Sequence, residues 1–339
     1  MSARRHQWTF IALAVGLLVS LCLEICIGPM NIQVDKIIPD TVQYLQGQHN
    51  TDATVVGAIR WPRALVAVLV GAGLAISGAV LQAVFKNPMS DPGIIGVSSG
   101  GALGAILTIH LGLAAASVWT TPLGAFVFGL LVVLLIYRLA TVRQQTNLYA
   151  LLLAGVAVGS FCSAIITLIL SLSPLQEMQE MLFWLMGGLD GSSWSEVLLL
   201  AIFIGFGLIL FMLLAWSLDI MMTGEDHAMG VGVPVQRMKQ LTLVLCALIV
   251  GVCVSTTGVI SFVGLIVPHV LRHFVGARHR LLIPASALGG AILLSLSDLV
   301  ARMALQPMEI NVGVVTSCLG APFFLYLLFK RQRAWQRGR

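Results

Sequence analysis

Asp298 and Arg302 stand four residues apart in an otherwise uncharged run, a spacing that places them on one face of a helix. An acid inside an apolar segment is costly to keep, so it either pairs with its neighbour or handles an ion or proton. Few other groups invite chemistry. The six cysteines (Cys22, Cys26, Cys162, Cys246, Cys253 and Cys318) lie in apolar runs without CxxC or His-flanked metal spacing. They read as small core residues, and no metal site is predicted. None of the four lysines closes a GxxxxGK[ST] loop, which removes that route to ATP. HExxH is absent too. His110 and His269 each invite a haem-ligand reading. The residues predict no catalytic group and no cofactor. A proton-coupled carrier would need more buried acids than Asp298.

The elements that position these groups must be membrane helices. Of 339 residues, 58% are hydrophobic and 10% charged, against about 25% charged in soluble domains. So apolar a chain cannot cover its own surface, and lipid must be the solvent. The length alone would suit two soluble domains. No polar stretch is long enough to fold as one, so residues 1–339 read as a single transmembrane domain. The net charge of +5 comes from basic residues scattered over helix ends, which fits a positive-inside bias rather than nucleic-acid binding. Arg4 and Arg5 precede an apolar run from Trp8 to Leu23, as in a signal peptide, but no small-x-small site follows. Leu21 before Cys22 argues against a lipoprotein signal. An uncleaved first span is expected.

In hydrocarbon each segment must satisfy its own backbone, so the fold class is all-α and polytopic, with about ten transmembrane helices. Stretches with at most one charge place them at Trp8–Cys26, Trp61–Phe85 (interrupted by Arg63 near its start), Tyr149–Leu172, Val197–Leu218, Leu241–Val254, Leu281–Leu299 and Val312–Phe329. The run from Gly93 to Tyr137 would extend roughly 68 Å as one helix. It must hold two spans, with a break at His110–Gly112. Gly258–Val267 is too short to cross and reads as a half-length helix lining a cavity. Ten spans put both termini on one side, and the charges agree. Arg4, Arg5, Lys86, Arg138, Arg143, Arg237, Lys239, Arg272, Arg278, Arg280 and the tail Lys330, Arg331, Arg333, Arg337 and Arg339 share it. Only Lys36, Arg60, Arg63 and Arg302 fall opposite, where Asp35, Asp40, Asp52, Glu177, Glu180 and Asp190 make the loops acidic. The basic side, with both termini, is expected to be cytoplasmic.

Along this frame run Arg60-Trp-Pro-Arg63, Gly71-Ala-Gly-Leu-Ala-Ile-Ser-Gly78, Gln82, Asn87-Pro88, Asp91-Pro92 and Gly96-Val-Ser-Ser-Gly100. Further on come Leu153-Ala-Gly-Val156, Phe183-Trp184, Gly187-Gly188, Gly224-Glu225, Gly232-Val233 and Ile260 to Arg272. Asp298-Leu-Val-Ala-Arg302, Gly313-Val-Val-Thr316 and Gly320-Ala-Pro322 close the series. In this order, over nearly the whole chain, they resemble the FecCD-type permeases, membrane subunits of type II ABC importers for ferric siderophores, haem and cobalamin. One departure is Glu309-Ile-Asn-Val-Gly313, where the family usually has a proline; Asn311 offers a replacement N-cap.

The resemblance implies a multi-pass protein of the bacterial inner (plasma) membrane. It implies a homodimer served by two ATP-binding subunits and a periplasmic or surface substrate-binding protein. It implies that residues 219–240 form a cytoplasmic coupling loop, with Gly224, Glu225, Asp226, His227, Ala228, Gly230, Gly232 and Val233 meeting the ATPase. Arg60, Arg63 and Arg302 would pair with acidic knobs on the binding protein, where arginine grips carboxylates bidentately; snorkelling to the interface is the alternative. Gln145, Thr146 and Asn147 would stand at the cytoplasmic gate, and Gly155, Gly159 and Ser160 along the path. The Pro268-His269 pair occurs in the family whatever the cargo, which favours a structural role. The expected cargo is an iron chelate, ferric siderophore or haem, with cobalamin as the alternative. An ion-gradient-driven transporter is the rival of another class; it would show inverted repeats, and no convincing repeat is visible.

Overall fold

The computed structural model describes residues 3–30, 32–47, 50–143 and 145–337. Gln144 of the gate loop and Arg339 of the basic tail lie outside the described residues. The first helix, α1 (Ala3–Cys26), is followed by two short ones, α2 (Ile37–Leu45) and α3 (Thr51–Thr54). Asn50 caps α3, accepting from Ala53 N at 2.7 Å. A wide π-helical turn, Val55–Arg60, then carries the chain without interruption into α4 (Trp61–Val84). The expected span at Trp61 is thus the inner part of a longer run, Thr51–Val84. The 93–137 region divides into α5 (Val97–His110) and α6 (Thr120–Ala140), with Gly112 left-handed at φ +68° in the break. This is the break expected at His110–Gly112.

Next come α7 (Leu148–Leu172), α8 (Leu175–Met186), α9 (Trp194–Thr223), α10 (Glu225–Gly230), α11 (Val235–Thr257), α12 (Val263–Val275), α13 (His279–Met303) and α14 (Val312–Arg337). A capping box of Ser193 and Glu196 opens α9. Among the described residues the only sheet is a two-stranded hairpin, Thr141–Val142 against Gln145–Thr146. Among the same residues, seven helices are long and apolar enough to cross a membrane. The helices Val97–His110, Val263–Val275 and Val312–Leu327 are apolar but shorter.

The half-length helix exists, displaced from its expected place. Gly258 to Phe262 is not helical, and α12 begins only at Val263. Gly258 (φ +68°) packs its Cα against the Trp184 carbonyl, and Phe262 (φ +69°) turns left-handed against Gly320. These contacts, rather than the glycines themselves, set the start. Pro268 inside α12 has no N–H for the Gly264 carbonyl. Gln82 of α4 supplies the missing donor, its Nε2 lying 3.3 Å from the Gly264 and Leu265 carbonyls, while Arg272 donates to its Oε1 at 3.1 Å. A motif glutamine thereby repairs the helix that proline interrupts.

Burial ranks the helices. The most apolar stretch of α4 is 78% buried, whereas those of α1 and α7 are 17% buried. So α4 is the central post, with α12 and α13 packed on it. Gly71 meets the Gly290 backbone of α13, and Gly78 meets Gly264 of α12, so closely that neither position has room for a Cβ. Small residues bring these backbones together where lipid offers no hydrophobic drive.

Candidate functional site

At one end of the bundle, α4 opens with Trp61-Pro62-Arg63 directly after the π-helical turn that ends at Arg60. The Arg63 guanidinium grips Asp298 of α13 with two parallel bonds, Nε to Oδ2 and Nη2 to Oδ1, each 2.9 Å. Its third nitrogen, Nη1, reaches Asp190 Oδ1 at 3.0 Å and Glu309 Oε2 at 2.9 Å. Arg302 lies 3.1 Å from Asp298 and 3.2 Å from Glu24 of α1, and donates to the Glu24 carbonyl at 3.0 Å. Glu24, Asp298, Arg63 and Arg302 are 1, 0, 9 and 4% exposed. Two buried carboxyl groups thus face two buried guanidinium groups, with Asp298 held by both arginines. Arg60 forks onto the Ile25 and Met30 carbonyls, closing the end of α1.

The expected Asp298–Arg302 pair is present, as one edge of a network joining five segments. The arginines expected at a docking surface are all buried and engaged within the chain. At the rim the carboxylates are the exposed members: the Asp190 side chain is 83% exposed. Beside Arg63 lies a cavity of about 290 Å³ lined by Trp184, Gly188, Thr257, Glu309 and Asn311. Asn311 immediately precedes α14, yet its side chain does not cap that helix. It donates to the Phe183 carbonyl at 2.9 Å and ties α8 down.

At the opposite end, α10 and its flanks fold around a small apolar cluster of Met221, Ala228, Val233 and Val235. Gly224 (φ +140°) and Gly232 (φ +85°) allow the chain to turn sharply on either side. Of the expected coupling residues, Ala228 and Val233 are buried supports, whereas Asp226, His227, Gly230 and Gly232 are exposed. Exposed Met229 and Val231 join that surface, apolar tips that the sequence pattern did not single out. Glu225 is turned inward, 2.8 Å from Lys239 Nζ of α11.

The residues expected at the gate lie next to this surface. Thr146 is buried, with its N–H donating to Gln236 Oε1 at 3.2 Å, and Gln145 is exposed. Asn147 caps α7, its Oδ1 accepting from Tyr149 N at 2.9 Å and Ala150 N at 3.2 Å. A cavity of about 790 Å³ is bounded by Arg143, Gln145, Asn147, Glu225, Gln236 and Lys239. Along α7 the expected path residues separate. Gly155 is buried against the Ile94 carbonyl, and Gly159 packs where a Cβ would lie 3.2 Å from Ser99 Oγ. Their missing side chains serve packing, leaving Ser160, with Leu153, Val156 and Phe161, on the exposed face.

His110 Nδ1 lies 3.1 Å from Ser173 Oγ and 3.8 Å from Glu177, and the His269 ring stands edge-on to Phe323 at 6.2 Å. Among the described residues no group of His, Cys, Asp and Glu has metal-binding geometry. Gly96-Val-Ser-Ser-Gly100 also spells GxSxG, a pattern easily overlooked inside the longer motif. It follows a 3-10 turn (Pro92–Ile95) rather than a strand, so it is not the strand-to-helix nucleophile elbow of the hydrolases.

Seven helices long and apolar enough to span a membrane, with a charge network at one end of the bundle and a short exposed helix beside a hairpin at the other, make this a multi-spanning membrane protein. The chain belongs to the FecCD transport family, whose model matches residues 16–330. It is 38% identical over 330 residues to the vitamin B12 import system permease protein BtuC of Salmonella paratyphi A, covering 97% of both chains. The BtuC protein of Salmonella typhimurium matches equally, at 38% identity and 97% coverage of both. Among solved structures it is similar to a metal-chelate type ABC transporter in an inward-facing conformation, with TM-score 0.85 and 32% identity over 96% of this chain and 99% of that one. PsaBC from Streptococcus pneumoniae, in complex with Fab, shares the fold at TM-score 0.54 and 19% identity, over 85% of this chain and 94% of that one. The protein is therefore an ABC-importer permease, multi-pass in the bacterial inner membrane.

Proposed function

We propose that two copies of this chain, driven by two ATP-binding subunits and fed by a substrate-binding protein, import a metal-bound organic chelate. The observation that carries this reading is the end-to-end match to a metal-chelate type transporter. On this reading the seven long apolar helices and the three shorter ones together make about ten membrane segments, which would put both termini on the basic, cytoplasmic side. ATP binding in the partners moves α10, and the two copies exchange outward- and inward-open arrangements around the exposed face of α7.

Cobalamin takes precedence over an iron chelate as the cargo, because the relatives that match along 97% of the chain are vitamin B12 permeases. The ferric siderophore or haem favoured by the sequence reading is the second arm of the test. A docking role for Arg63 requires it to release Asp190 or Glu309, so a partner's carboxylate would enter by exchange rather than by meeting a free cation. Uptake of labelled cyanocobalamin, a ferric siderophore and haem into proteoliposomes holding the whole complex tests the reading. ATP-dependent accumulation of one of them is expected. Accumulation without the ATPase, driven by a proton or sodium gradient, would overturn it.

A further inference from the structure

Among the described residues, Glu225 of the coupling helix and Thr146 of the gate hairpin are joined by side chains of a third element. They meet through the first turn of α11. Gln236 and Lys239 lie three residues apart, on one face of that turn. Lys239 is 3% exposed, and its ammonium lies 2.8 Å and 2.9 Å from the two carboxylate oxygens of Glu225, the first residue of α10. Gln236 Oε1 accepts from Thr146 N in the hairpin at 3.2 Å. The hairpin is stiffened by Thr141 Oγ1 and Thr146 Oγ1, 3.2 Å apart, and Asn147 N donates to the Ala140 carbonyl at 3.0 Å. Asn147 then caps α7. Polar contacts on either side of the α11 turn, continued by the Thr146–Asn147 backbone, therefore link α10 to α7, the helix that carries the expected path residues.

From this geometry we infer that Gln236 and Lys239 are positioning residues that carry the displacement of the coupling helix to the cytoplasmic gate. The inference rests on the importer reading and adds to it the part that transmits the motion. Lys239 makes the α11 turn follow α10, because a buried ammonium cannot leave its carboxylate cheaply. Gln236 makes the hairpin follow α11. Among the described residues of the hairpin, Val142, Arg143 and Gln145 are exposed. It should therefore be free to move when this bond is cut.

The test uses the whole complex in lipid nanodiscs and needs no knowledge of the cargo. A spin label is placed at exposed Val142 through Val142→Cys, in a background of Cys22→Ala, Cys26→Ala and Cys318→Ala. The distance between the labels of the two permease copies is read without nucleotide and after ATP–vanadate trapping. The native complex should show a shift. Gln236→Ala should lose that shift while nucleotide is still trapped, and Lys239→Met should lose it as well. Gln236→Glu, whose carboxylate still accepts from the Thr146 N–H, should restore it. A shift of native size in Gln236→Ala overturns the linkage and leaves the importer reading standing. No shift in the native complex overturns the gate assignment itself, and the linkage with it.

Discussion

Replacing Arg63 with methionine should unbalance the outer charge cluster. The native arrangement sets Arg63 and Arg302 against Glu24 and Asp298, all four at most 9% exposed. Arg63→Met keeps the stem volume but leaves two buried carboxylates to share Arg302, whose closest approaches are 3.1 Å and 3.2 Å. Removing one partner of a buried pair typically costs about 3–5 kcal/mol. That corresponds to a fall of roughly 10²–10³ or more in the folding equilibrium, at about 1.4 kcal/mol per tenfold. Asp190→Asn cuts a bond to the same arginine, but at a side chain 83% exposed, and should cost about 0–1 kcal/mol. Unfolding of the isolated permease in mixed micelles measures both without any docking partner. Adding Asp298→Asn to Arg63→Met restores one carboxylate to one guanidinium and should recover part of the loss. The reasoning fails if Arg63→Met is as mild as Asp190→Asn, or if the double variant loses the full sum of the two single changes.

Four other outcomes can be checked in the same micelles or in reconstituted complexes. Gly71→Ala drives a methyl into the Gly290 backbone and should destabilise by at least about 1–3 kcal/mol. Gly205→Ala meets nothing within 4 Å in α9 and should be neutral or gain up to about 1 kcal/mol. Arg60→Lys loses the fork that reaches both the Ile25 and Met30 carbonyls and should cost about 1–3 kcal/mol, measured by the same unfolding titration. Asn147→Ala removes the cap of α7, worth about 1 kcal/mol, and should raise amide exchange at Tyr149 and Ala150 before anywhere else in that helix.

Hydropathy made the long helices legible because lipid imposes one rule on every residue of a span, so a local window carries the signal. The break between α5 and α6 was legible for the same reason, since no single helix could be that long. Short helices at the surface were not. Residues Leu175–Met186 mix Gln176, Glu177, Gln179 and Glu180 with apolar positions, and nothing local separates such a helix from a loop. The start of α12 was misplaced because Gly258 looks like a boundary, whereas the boundary depends on Phe262 seated on Gly320, 58 residues later. The site shows the same limit more sharply. Asp298 was visible as a costly charge and Arg63 as an arginine at a helix end. That they belong together, with Asp190 and Glu309, is written in separations of 127 to 246 residues, where periodicity says nothing. Gln236 stood unremarked inside the coupling loop, since a lone glutamine in a polar stretch carries no signal until its partner is seen.

The bidentate grip of Arg63 on Asp298 spans 235 residues of sequence, and that has a consequence for biogenesis. At 5–20 residues per second the ribosome needs about 10–50 s to deliver the acid after the base. Throughout that interval α4 sits in the bilayer with an unneutralised cation near its outer end, kept tolerable by extending its long stem toward the headgroups. A nascent chain halted before α13 would hold its central post in the membrane but not anchored to its neighbour, and should be a preferred target for quality-control proteolysis.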